Sequence, residues 1–112
     1  MEKNDLNSIS GIPPYCVTAE DESGHRLLER YLSRRREDLT RLEAALARDD
    51  YDLIRRIGHN LHGSGAAYDL VRISILGEQI ERAAERRARP GLAGAIAQLE
   101  QFLDSITVVG PS

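Results

Sequence analysis

Apolar residues return every three or four positions through most of this chain, in runs cut by short polar breaks. That rhythm is the signature of amphipathic helices. Leu28, Tyr31, Leu32, Leu39, Leu42 and Leu46, with Arg35 among them, lie along one stripe that ends near Arg48. A second helix is expected from about Tyr51 to Ala67. Leu70, Ile73, Leu76, Ile80, Ala83 and Ala84 mark a third, and Leu92, Ile96, Leu99, Leu103 and Ile106 a fourth. The punctuation agrees. Thr18 followed by Asp21 resembles a helix start, Gly24 can bend that opening turn, Asp49 or Asp50 can cap the second helix, and Asp69 the third. Arg86, Arg87 and Arg89 put positive charge at the end of the third helix, and Pro90 suits the start of the fourth. No segment shows strong strand alternation. Four such helices with short connections predict an all-α fold, an antiparallel up-down-up-down four-helix bundle.

The bundle is expected over residues 18–107, after a short N-terminal extension. Residues 1–17 read as a flexible tail, since Gly11 and Pro13-Pro14 resist helix; Tyr15, Cys16 and Val17 could tuck against the core or form a short extended piece. Residues 108–112 end in Gly and Pro and are expected to fray. A chain of 112 residues suffices for one core. Aromatics make up only 4% and Trp is absent, so that core must be built from Leu, Ile and Ala.

Composition excludes several function classes. Fifteen basic and eighteen acidic residues, mixed along the chain, give a net charge of -3 and no overall pull toward nucleic acid or an anionic membrane. Arg34-Arg35-Arg36 is followed at once by Glu37 and Asp38 and reads as a solvated helix face. Cys16 is the only cysteine, so neither an intrachain disulfide nor a thiolate zinc cluster can form. A reducing compartment fits, and no apolar stretch reaches the roughly 20 residues of a membrane span. A cytoplasmic monomer is the expectation.

Chemistry concentrates in Arg55-Arg56-Ile57-Gly58-His59-Asn60-Leu61-His62-Gly63-Ser64-Gly65-Ala66-Ala67-Tyr68. On a helix at about 100° per residue, Leu53, Ile57, Leu61, Ser64 and Tyr68 fall opposite His59. His59 should therefore point outward, with Arg55, Arg56, His62, Gly63 and Ala66 within about 60° of it. Gly58, Gly63 and Gly65 inside a helix cost about 1 kcal/mol each against Ala. Their sum, about 3 kcal/mol, is large beside a typical stability of roughly 5–15 kcal/mol. Close helix packing can account for Gly65. Gly63, on the outer face, is better explained as space kept open beside the imidazole. A neutral imidazole is a good nucleophile, and nitrogen–phosphorus bonds form and break readily. Phosphoryl transfer is mainly positioning and charge stabilisation, which nearby Arg or His donors can supply. The chain carries no glycine-rich phosphate loop with its Lys, so it is expected to carry phosphate without taking it from ATP.

His59-Asn60-Leu61-His62-Gly63-Ser64-Gly65 resembles the H-x-L-K-G-S motif of histidine-containing phosphotransfer (HPt) domains. The likeness continues through Tyr68, Leu70, Ile73, Leu76 and Ile80-Glu81, and helix count and order fit from about Thr18 to Thr107. The resemblance implies a phosphoacceptor at His59, the motif glycine at Gly63, and Glu81 bonded to the far ring nitrogen so that the other faces attack. It implies as partners response-regulator receiver domains or a hybrid histidine kinase. No cofactor is implied for this chain, since the aspartate and the Mg²⁺ belong to the receiver. Two positions depart from the pattern: His62 stands in place of the usual Lys, leaving Arg55 or Arg56 to compensate, and Asp69 in place of a common glycine.

His59 and His62 as metal ligands are disfavoured, because bundle sites use inward Glu-x-x-His pairs and this inward face lacks carboxylates. A bundle that docks receivers without accepting phosphate is the alternative, with His62 its best support. An oligomerising bundle would need an apolar contact surface away from His59, for which Ile75 is a candidate.

Overall fold

Asp21 starts the helical part of the protein, its side chain accepting the Gly24 N–H at 2.8 Å. The computed structural model describes residues 15–68 and 70–109. Their order is strand β1 (Tyr15–Thr18), helices α1 (Glu22–Ala47), α2 (Tyr51–Ala67), α3 (Val71–Glu85) and α4 (Arg89–Ser105), then strand β2 (Ile106–Val109). The fold is the all-α four-helix bundle that the apolar spacing predicts: each helix packs on its sequence neighbours, and α1 closes the ring on α4. Its largest fully buried side chains are all Leu or Ile, from Leu42 on α1 to Leu103 on α4.

Local chemistry sets the helix ends. Asp50 caps α2 by accepting the Leu53 N–H at 3.2 Å. Asp49, in the left-handed region at φ 58°, instead pairs with Arg89, which also donates to the Leu46 carbonyl. That bond ties the α1–α2 turn to the start of α4. Arg87 turns the chain at φ 51° after α3, so Arg89 opens α4 instead of ending α3.

Three expectations are corrected. Thr18 does not begin a helix; it ends β1, and the cap falls to Asp21. Residues 15–17 form the short extended piece allowed for them, whereas 108–109 belong to a strand and not to a frayed end: β1 and β2 pair in parallel, Tyr15 opposite Ile106 and Thr18 opposite Val109. Ile106 leaves the helical stripe for this strand and stays buried; three β-branched residues follow it, which suit extended backbone. The arginine run is not simply solvated. Arg35 lies 4.6 Å over the Tyr31 ring and pairs with Asp38 at 3.0 Å, and Arg36 donates to the Leu103 carbonyl at 2.6 Å. The remaining tail expectations (1–14 and 110–112) and the Asp69 cap lie outside the described residues.

The α2–α3 seam positions the site. A Cβ built on Gly58 would stand 2.8–3.0 Å from Glu81 N, Gly77 O and the Ile80 side chain. One on Gly65 would reach Ser74 N at 2.5 Å, and one on Gly77 would reach His62 N at 2.5 Å. Contacts thus run 58 to 81, 62 to 77 and 65 to 74, so the two helices are antiparallel and nearly backbone to backbone. Glycine is required on both sides of that approach.

Candidate functional site

Burial of Ile54, Ile57 and Leu61 fixes the rotation of α2 and leaves His59 on the opposite side. The His59 side chain is 68% exposed. The closeness of the seam brings Glu81 of α3 within reach, its Oε2 3.2 Å from His59 Nδ1. An ionised carboxylate only accepts hydrogen bonds, so Nδ1 carries the proton and donates to it. In the neutral ring Nε2 then keeps its lone pair.

One turn further along α2 the surface is clear. A Cβ on Gly63 would meet nothing within 4 Å, and Gly63 and Ala66 are both exposed. Gly58 and Gly65 serve a different purpose, since both are buried in the seam. Arg56 is exposed and Arg55 half-buried, and neither bonds to another side chain among the described residues. Arg55 and Arg56 lie four and three residues before His59, about one turn along the helix.

His62 is anchored to the neighbouring helix. Its Nδ1 lies 3.2 Å from the Ser74 carbonyl oxygen and 3.2 Å from Ser74 Oγ, while that hydroxyl donates to the His62 carbonyl at 2.7 Å. The ring is therefore held on α3. Ser74 is the buried polar residue of the described core and escaped the sequence reading. Its signal was positional: it lies seven residues before Glu81, two turns away on the same helix face.

A second cluster fastens α1 beside the C-terminal end of α2. Tyr31 and Tyr68 stack with centroids 4.3 Å apart, and Ser64 Oγ is shared by Tyr31 Oη at 2.9 Å and Arg35 Nη1 at 3.1 Å. An open groove there is lined by Leu27, Arg30, Arg34 and Tyr68. Leu27 and Tyr68, with Val71 and Ile75 on α3, are the exposed large apolar side chains of the described surface.

The sequence model of the Hpt domain matches residues 26–107, nearly three quarters of the chain, from the second turn of α1 into β2. The chain belongs to the Hpt domain family. Hpt domains are phosphocarriers without an ATP site of their own, and work with receiver domains and kinases in phosphorelays. No curated protein and no solved structure matches this Hpt domain. Among its described residues, no helix is long and apolar enough to cross a membrane.

Proposed function

We propose that this Hpt domain takes a phosphoryl group onto His59 Nε2 from the aspartyl phosphate of one receiver domain and passes it to the aspartate of another. One observation carries the reading: an exposed imidazole has Nδ1 tied to Glu81 and open space beside it over Gly63. The Nε2 lone pair forms the nitrogen–phosphorus bond as the acyl phosphate oxygen–phosphorus bond breaks, and the carboxylate leaves with the electron pair. The ring becomes cationic while Nδ1 keeps its proton, and the Glu81 carboxylate stabilises that charge. Arg55 and Arg56 offer donors to the transferring oxygens. Mg²⁺ acts in the receiver. The receiver docks over the cleared face, with the exposed apolar residues Tyr68, Val71 and Ile75 nearby as contacts. The domain works as a cytoplasmic monomer.

The test is incubation with a phosphorylated receiver. The expected label is lost in acid, survives base and maps to residue 59. His59→Gln removes it and lowers the rate of total labelling by more than about tenfold, a rise of more than about 1.4 kcal/mol in barrier. Equal labelling of wild type and variant sinks the reading. A docking-only module is the second reading, favoured by the engagement of His62 with Ser74 where the motif has a free Lys. It predicts receiver binding that is insensitive to His59→Gln, without any transfer.

A further inference from the structure

We propose that His62 is a second phosphoacceptor, able to take a phosphoryl group on Nε2 from donors of the acyl phosphate or phosphoramidate class. A backbone carbonyl has no proton to give, so the 3.2 Å contact between His62 Nδ1 and the Ser74 oxygen places the ring proton on Nδ1. Nε2 of the neutral ring is left with a lone pair. This is the arrangement that Glu81 imposes on His59, repeated one turn further along α2. The Ser74 hydroxyl holds the same residue a second time, through its 2.7 Å bond to the His62 carbonyl. Residue 62 is exposed and has Gly63 and Ala66 for exposed neighbours, so a donor has room to approach.

The motif's Lys would donate to phosphoryl oxygens. The neutral His62 ring has already committed its one N–H to Ser74, and its other nitrogen is a nucleophile. In the step, the Nε2 lone pair forms the bond to phosphorus. The oxygen–phosphorus bond of an acyl phosphate, or the nitrogen–phosphorus bond of phosphoramidate, breaks. The carboxylate or ammonia departs with the electron pair, and ammonia takes a proton from water. Nδ1 keeps its proton, and the Ser74 carbonyl oxygen faces the cationic ring. A neutral carbonyl stabilises that charge less than a carboxylate does, so His62 reacts more slowly than His59.

The proposal rests on the same phosphoryl chemistry as the reading of His59 but uses another nitrogen, so the two fail separately. The probe is phosphoramidate, which needs no receiver docking. His59→Gln is expected to gain acid-labile, base-stable label at residue 62, about ten- to a hundredfold more slowly than residue 59 in the wild type. Phosphorus NMR should show that label on Nε2 alone. The His59→Gln, His62→Gln double variant should gain none. Labelling of the single variant no faster than of the double variant overturns the proposal, as does label on Nδ1. Because His62→Gln also disturbs the Ser74 contacts, nitrogen-15 NMR of the wild-type ring gives an independent test: a neutral tautomer protonated on Nε2 overturns it too. Label confined to residue 59 defeats this proposal and leaves the reading of His59 standing. Wild-type protein that takes label at neither residue defeats both.

Discussion

Gly63 and Gly58 lie five residues apart on one helix, and a side chain at each would have opposite consequences. At Gly63 a Cβ meets nothing, so Gly63→Gln should stabilise α2 by about 0.5–1 kcal/mol through helix propensity. The same side chain stands beside the imidazole and obstructs a docking receiver. Since an ångström of misplacement can cost about a hundredfold in rate, transfer from a phosphorylated receiver should fall by at least about that much. Thermal melting followed by circular dichroism, with the transfer assay alongside, checks both halves; a melt that rises with normal transfer refutes the access argument. Glu81→Gln probes charge at the same site. Its amide oxygen can still accept from His59 Nδ1, so the ring orientation survives while the carboxylate charge is lost. Labelling of His59 by phosphoramidate should slow by about tenfold, because charge-assisted bonds are about twice as strong as neutral ones. An unchanged rate would mean that Glu81 only orients the ring.

At the scale of elements, the α2–α3 seam is the part least tolerant of added volume. Gly77→Ala would set a Cβ 2.5 Å from His62 N and 2.8 Å from Gly58 O, both backbone atoms that cannot swing aside. The helices must separate, at a cost of about 1–3 kcal/mol. The urea midpoint should drop by about 1 M, while Gly94→Ala, which meets nothing within 4 Å, should not lower it. Equal midpoints for the two variants would refute the close approach. Helices α1 to α4 were legible in the sequence because burial repeats at the helical period and Leu and Ile carry it. The partner of a glycine was not, since Gly58 and Gly77 meet across two helices and neither spacing reveals the other. The Ser74 contacts to His62 were hidden for the same reason. The β1–β2 pairing escaped because Ile106 continues the apolar stripe of α4, and four residues are too few for an alternation to show. At the site, the helix wheel placed His59 outward without help. Resemblance supplied the expectation for Glu81, and only the fold gave its 3.2 Å distance.

Across the whole molecule, the helices are unequal, and that predicts where it opens first. Helix α1 has 26 residues, about 39 Å at 1.5 Å per residue, against 15–17 residues in each of the others. Its buried residues are Tyr31, Leu32, Leu42 and Ala45, so nothing in its first nine residues is buried. Strand β2 lies where that under-packed stretch ends, near Glu29, Leu32 and Arg36. His59 and its partners belong to the α2–α3 seam, which other residues form. Local opening follows buried apolar contact, so backbone amides of residues 26–30 should exchange with solvent at least about tenfold faster than those of residues 73–84. Removing residues 106–112 should speed exchange further over residues 26–36, because Leu32 loses its cover. The same truncation should leave both seam protection and phosphoramidate labelling of His59 unchanged. If protection of α3 falls in step with that of α1, the domain opens as a single unit, and the long helix is not an independently yielding edge.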